Sequence, residues 1–371
     1  MAGIYIHIPF CKKRCIYCDF YSSTKQEYVE KYIDALICEA KLRPESDNIS
    51  TLYIGGGTPS QLNIGQFKKL IDGLNSAYDL SRLEEFTVEV NPDDVSIQYI
   101  QALKQLGVNR ISMGVQSFVD SELQFINRRH NATEAINAVN AIYNADIENI
   151  SIDLIYGIPG QTLESWKESI RVAMSLNVQH ISAYNLSYEE GTTLWRLRES
   201  GKLAEVEDSQ CIKMYNIFNA ELKLHGYDHY EISNYCKPGF YSRHNSSYWN
   251  NTPYIGLGAS AHSFDGTYRG YNPASICDYI NTLSNGEIAL IVEESEWWEK
   301  YDETVMISLR TAHGLDIEII RKRFGEKAVK HFVAESEKYL ADGSLRVENG
   351  VYSIPEECFM ISDGIIRDLM W

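Results

Sequence analysis

Basic residues are scarce in this chain relative to acidic ones. Lys and Arg total 34 against 51 Asp and Glu, a formal net charge of −17 over 371 residues. That balance argues against nucleic acid as a main partner, because phosphate binding needs clustered cations. Long apolar runs are also missing; the longest are strand-sized, so no segment is expected to span a membrane. No low-complexity tract appears, which excludes a largely disordered chain. The opening MAGIYIHIPF has neither a basic start nor a cleavage site, so no secretory signal is expected. With eight cysteines and no export signal, reduced thiols and a cytoplasmic location are expected. What remains is a globular composition, 44% hydrophobic and 23% charged, too long for a single small core.

Short apolar, β-branched runs recur between amphipathic stretches. Strands are expected at Ile4–Ile8, Thr51–Ile54, Phe86–Val90, Arg110–Val115, Ile150–Tyr156 and Ile181–Leu186. Helical periodicity covers Gln26–Lys41, Ile64–Ala77, Ser96–Leu106, a pair within Ser121–Asn144, and Leu163–Leu176. Six strand–helix units imply an α/β fold with a parallel sheet and right-handed crossovers, two units short of a closed eightfold barrel. An open partial barrel and a doubly wound sheet both fit. Polar and glycine-rich residues follow the strands: the cysteines after strand one, GGGTP after strand two, Asn91-Pro92 after strand three, Gln116 after strand four and GIPG after strand five. That end of a parallel sheet is where active sites form. Glu89, Asp153 and Gln116 lie in or beside apolar strands, where a polar group is costly without a partner.

Cys11, Cys15 and Cys18 form CKKRCIYC, and Cys38 follows only twenty residues later. Three thiols are an odd set for disulfides. Zinc in a structural site takes four ligands, and His7 is a candidate fourth. A [4Fe–4S] cluster held by three thiolates leaves one iron open to a small molecule. The other cysteines, Cys38, Cys211, Cys236, Cys277 and Cys358, read as scattered core or surface thiols, of which Cys236, eight residues before His244, merits a mutant.

CKKRCIYC resembles the CxxxCx(aromatic)C motif of the radical S-adenosylmethionine (SAM) family. YIHIPFC, YIGGGTPS, EVNP, SMGVQSF, IDLIYGIPGQT, SNY and RHNSSYW extend the likeness over nearly the whole chain. Together they resemble the branch that contains oxygen-independent coproporphyrinogen III oxidase and the haem chaperones of the HemW type. The resemblance implies a partial (β/α)6 barrel carrying a [4Fe–4S] cluster and SAM. It implies Cys11, Cys15 and Cys18 as cluster ligands, with Tyr5 and Tyr17 nearby. Gly56, Gly57 and Thr58 would meet the methionyl amino group. Glu89, Gln116, Arg128 and Asp153 would be the polar SAM contacts, although Arg129 is adjacent to Arg128 and either could face inward. Two departures point to the haem chaperone type rather than the oxidase. The oxidase motif continues as CxC where this chain has Phe20, and only ten residues precede Cys11.

RHNSSYW carries His244, Asn245, Tyr248 and Trp249, which match the HNxxYW motif that the HemW type uses for haem. A neutral imidazole ligates haem iron, and aromatic rings flank a flat macrocycle. The same residues read cold describe a capped turn packed on a core, so His244 is either an iron ligand or a shaper of the pocket. From Trp297 the pattern changes to helices at Trp297–Ala312, Asp316–Phe324 and Lys327–Asp342. A hairpin on Asn349-Gly350 follows. This resembles a winged-helix-like α+β module, with no basic face for DNA, read as a lid or packing domain. The expected division is residues 1–190 as the radical SAM barrel, 191–296 as a barrel extension with the haem motif, and 297–371 as the C-terminal module. The expected function is binding haem and delivering it to acceptor haemoproteins, with an electron donor for the cluster. Radical decarboxylation of coproporphyrinogen III is the enzymatic alternative. Membrane docking and oligomeric state are left open.

Overall fold

The computed structural model describes residues 2–44 and 48–371. Six parallel strands run in sequence order: β1 (Ala2–Ile8), β2 (Ile49–Gly56), β3 (Glu85–Val90), β4 (Arg110–Gln116), β5 (Asn149–Tyr156) and β6 (His180–Asn185). Between them lie α1 (Val29–Leu42), α2 (Ile64–Asn75), α3 (Ile97–Gln105), α4 (Asp120–Phe125), α5 (Ala132–Asn144) and α6 (Leu163–Ser175). The expected strands and helices are all present, with ends shifted by up to three residues. The helices start where local capping dictates. Asn63, Asn131 and Thr162 each open a capping box, and Ser96 accepts from the amide of Tyr99.

Alternation within the strands builds the barrel. In β4 the outward Ile111, Met113 and Val115 are fully buried against the helical layer. The intervening Arg110, Ser112 and Gly114 line an inner cavity. β3, β5 and β6 repeat the scheme, with Glu89, Ser151, Asp153, Ser182 and Tyr184 on the cavity side. Each outward aliphatic that leaves water contributes roughly 1.5–3 kcal/mol. Trp166 locks α6 to α8 (Asp208–Leu224) through an indole N–H donated to the Met214 carbonyl at 2.9 Å.

Beyond β6 the sheet widens to twelve strands. On one side β8 (Asn234–Cys236) joins β6 antiparallel, and β7 (Asp228–Glu231) lies beyond it. On the other side β9 (Tyr254–Leu257) pairs parallel with β1 and leads to β10 (His262–Phe264), β11 (Arg269–Tyr271) and β12 (Ile291–Val292). The helices of this region are α7 (Thr193–Glu199), α8, α9 (Arg243–Trp249) and α10 (Ile276–Ser284). A buried carboxylate ties this extension to the barrel. Glu39 of α1 accepts from Arg43 at 2.9 Å, the Gly258 amide at 2.9 Å, Asn272 at 2.8 Å and Tyr279 at 2.5 Å. Four donors satisfy a charge that would be prohibitive alone.

The C-terminal module contains α11 (Trp297–Leu309), α12 (Ile317–Phe324), α13 (Glu326–Asp342) and α14 (Ser362–Leu369). Its small sheet runs β13 (Leu315–Asp316), β15 (Val351–Ser353), β14 (Arg346–Glu348). Asn349 and Gly350 both have positive φ, +53° and +84°, as the tight hairpin turn requires. The module packs beside α9 and β7. The Arg310 guanidinium lies 5.4 Å over the Trp249 ring, and the Ala312 amide donates to the Tyr230 carbonyl at 3.0 Å. Among the described residues, none after Asn245 lines the inner cavity.

Candidate functional site

The loop after β1 brings Cys11, Cys15 and Cys18 to the mouth of a cavity of about 440 Å³. Two bridge-like bonds hold the loop: Cys11 N–H to the Ser23 carbonyl at 2.9 Å and Ser23 N–H to the Pro9 carbonyl at 2.6 Å. Lys12 adds an ion pair to Asp94 at 3.0 Å. Burial pushes the Cys11 thiol up and the Cys18 thiol up to about 11. Thiolates at these positions therefore need compensating positive charge. Two donors already point at sulfur: the Thr58 hydroxyl to Cys11 Sγ at 3.3 Å and Arg128 Nη1 to Cys15 Sγ at 3.5 Å. Among the described residues, no three Cys, His, Asp or Glu side chains converge tightly enough for one ion. His7, the candidate fourth zinc ligand, has both ring nitrogens engaged, by Tyr5 at 3.1 Å and the Tyr21 carbonyl at 2.9 Å. Three spaced sulfurs with hydrogen-bond donors on them suit a multi-iron cluster and not a mononuclear zinc.

The strand ends complete the mouth. Gly56 has φ +112°, and a Cβ on Gly57 would stand 2.9 Å from Pro9 C, 3.0 Å from Ile8 O and 3.1 Å from Cys11 Sγ. Glycine is thus required for β2 to pass against the cysteine loop. Glu89 accepts from Tyr53 at 2.7 Å and from the Gly56 amide at 3.0 Å. Burial outweighs these bonds and raises its carboxyl to about 7. Asp153 is raised to about 6 by burial, against a bond from Ser182 and the charges of Arg110 and Arg128. Gln116 sits on a bulge with φ +70°, so a non-glycine residue is held left-handed at the cavity wall.

Arg128, not Arg129, turns to the cysteines. It donates to Asn91 Oδ1 at 2.8 Å, to the Gly114 carbonyl and to Cys15. Arg129 is spent on Asp93 at 2.7 Å and Asp94 at 3.0 Å. Tyr17 and Thr58 line the cavity; Tyr5 does not, and its ring lies beside the stacked pair of Tyr53 and His244. Phe20 stands at the rim, 63% exposed. Sequence reasoning missed Arg110, Ser112, Ser151 and Ser182, all on the inner wall. Their signal was the polar half of each strand's alternation.

The RHNSSYW segment forms α9 at the opposite end of the barrel from the cysteines, against the start of β1 and β2. Glu85 fixes its first turn by accepting from the amides of Arg243 at 2.9 Å and His244 at 3.0 Å. His244 is fully buried. Its Nδ1 pairs with Thr51 at 2.9 Å and its Nε2 with Tyr248 at 2.9 Å. Burial and the Arg110 charge lower its pKa to about 3, so the ring is neutral. Asn245 is the residue of the motif that reaches the cavity, while Trp249 meets Arg310 of the C-terminal module. None of the five scattered cysteines lines the cavity.

Residues 5–173 match the family model of the Radical SAM superfamily, and residues 297–360 match that of the HemN C-terminal domain. The chain is 38% identical over 333 residues to the heme chaperone HemW of Bacillus subtilis, covering 88% of this chain and 87% of that one. It is 32% identical to the heme chaperone HemW of Synechocystis, covering 98% and 94%. In fold it is similar to coproporphyrinogen III oxidase (HemN) of Escherichia coli, a radical SAM enzyme. The TM-score is 0.86 over 100% of this chain and 90% of that one, at 23% identity.

Proposed function

Because the chain belongs to the heme chaperone HemW family within the radical SAM superfamily, we propose that it binds haem and passes it to acceptor haemoproteins. The observation that carries this reading is identity of 38% across 87% of the Bacillus subtilis heme chaperone. Superfamily membership implies a [4Fe–4S] cluster and SAM, and the cavity mouth has the donors for both. Cys11, Cys15 and Cys18 hold the cluster. Gly56, Gly57, Thr58, Glu89, Gln116, Arg128, Asp153 and Tyr17 surround SAM. When bound, the pair supplies a one-electron reductant, fed by an external electron donor, and a sulfonium that reduction can cleave.

The chain's own residues have distinct tasks. Thr58 and Arg128 place N–H and O–H dipoles on cysteine sulfur, which lowers the cost of negative charge there. Glu89, poised near neutrality, holds or releases a proton at its carboxyl oxygens. Its ionised form favours a cationic ligand. In α9, His244 and Tyr248 brace the helix through their mutual hydrogen bond, while Asn245 reaches the inner cavity and Trp249 lies against Arg310 of the C-terminal module. Asn245 is therefore the motif residue placed to touch a ligand in the cavity, and His244 shapes the pocket from behind.

The test is haem titration of anaerobically reconstituted protein, followed by mixing with an apo-haemoprotein. Coproporphyrinogen III turnover is assayed on the same sample. A Soret band that moves to the acceptor, without turnover, supports haem delivery. Turnover to protoporphyrinogen without haem binding would assign the chain to the oxidase activity instead.

A further inference from the structure

Arg110 opens β4 and turns its side chain into the barrel, where it shares the cavity wall with Ser112, Ser151 and Asn245. It is 1% exposed. Its Nε and Nη1 have no hydrogen-bond partner among the described residues. Arg129 is ion-paired twice, whereas no carboxylate among the described residues pairs with Arg110. Glu89 and Asp153 line the same cavity and feel its charge, yet neither bonds to it.

An arginine carries five N–H donors in a planar fork and is always charged. Few groups are costlier to bury unpaired. A carboxylate satisfies that fork with two parallel charge-assisted bonds, and the neighbouring serines and Asn245 add neutral donors. We propose that Arg110 anchors a carboxylate of a small molecule bound inside the barrel. Resting on the function proposed above, two such groups are at hand: a haem propionate and the methionyl carboxylate of SAM. Position favours the propionate. Arg110 lies with Asn245 of the RHNSSYW segment, while Arg128 already serves the cysteine end.

Full-length, anaerobically reconstituted wild type is compared with Arg110→Gln and Arg110→Lys. Haem and haem dimethyl ester are titrated by Soret absorbance and SAM by calorimetry. Arg110→Gln is expected to weaken at least one carboxylate ligand by ~10-fold or more, as loss of a charge-assisted bond does, and Arg110→Lys by less. Loss confined to haem, with the dimethyl ester binding wild type and variant alike, identifies the propionate. Loss confined to SAM identifies the methionyl carboxylate. Unchanged affinity for both ligands overturns the proposal, and haem binding by wild type in that same experiment leaves haem delivery standing. A wild type that takes SAM through Arg110 but takes no haem keeps the anchor and ends the haem reading. Thermal unfolding without ligand covers the structural alternative. The anchor reading expects Arg110→Gln to melt no lower than wild type, since an unpaired buried charge is gone. A lower Tm, with haem, its ester and SAM all weakened alike, marks Arg110 as a structural residue and overturns the proposal.

Discussion

Glu89→Gln is the sharpest perturbation of the cavity. In the folded chain the carboxyl is raised from its ordinary 4.5 to about 7 by burial, against bonds from Tyr53 and Gly56. The folded state therefore keeps its proton longer than the unfolded state. Stability attributable to Glu89 is fullest below about pH 4.5 and falls as pH rises toward 7. At 1.36 kcal/mol per pKa unit the loss amounts to about 3 kcal/mol by pH 8. Glutamine keeps the shape and cannot ionise. It retains one acceptor for the Gly56 amide and can donate to the Tyr53 oxygen, at a cost of about 1 kcal/mol. The ligand-free variant should thus match or fall slightly below wild type at pH 5 and exceed it by about 2 kcal/mol at pH 8. Urea unfolding of both proteins under reducing conditions at the two pH values measures this difference directly. If the gap between wild type and variant is the same at pH 5 and pH 8, Glu89 is not held against its ionisation and the argument fails. The same variant should bind SAM more weakly at pH 8, because the favourable anion has gone.

Thr58→Val removes the hydroxyl that donates to Cys11 Sγ. The cluster should still assemble, with a more negative midpoint in a spectroelectrochemical titration; an unchanged midpoint would show that this contact does not tune it. Gly57→Ala drives a methyl into Pro9, Ile8 and Cys11, two of them backbone contacts, so iron and sulfide per chain after reconstitution should fall sharply. His244→Ala empties a fully buried site and strands Thr51 and Tyr248, for a loss of about 2–4 kcal/mol seen as a lower urea midpoint. An iron-ligand role would in addition abolish the Soret shift on haem titration. On the acid side, His7, lowered to about 4, and His244, lowered to about 3, are neutral in the fold. Their contribution is complete above about pH 6.5 and is lost as pH falls toward 4, up to about 3 kcal/mol for His7 alone. The urea midpoint of His7→Asn should accordingly change less between pH 7 and pH 5 than that of wild type.

Much of the barrel was legible because its signals are local. Apolar residues at every second position mark each strand, and Asn63, Asn131 and Thr162 announce the helices that follow. CKKRCIYC and GGGT were legible for the same reason, since their spacing is a chemical requirement. Arg110 escaped because it looked like a strand boundary. It belongs to the polar half of R-I-S-M-G-V-Q, the face that turns inward only once six strands have curled together. The short strands β7 to β12 also escaped. They have two to four residues each, and their partners lie up to about 250 positions away in the chain, as for β9 on β1.

Sequence alone determined the strand–helix order, the three-thiol loop and the family, because periodicity, spacing and long stretches of identity are properties of neighbouring residues. Tertiary structure decided which of two adjacent arginines serves the cysteines: Asp93 and Asp94 take Arg129, and Gly114 and Asn91 receive Arg128. It also placed His244 in the interior with Thr51 and Tyr248 on its two nitrogens, and left Arg110 Nε and Nη1 without a hydrogen-bond partner among the described residues. Such outcomes depend on which groups meet across the barrel. Hydrogen bonding and burial are settled there between residues far apart in sequence, where no local pattern can record them.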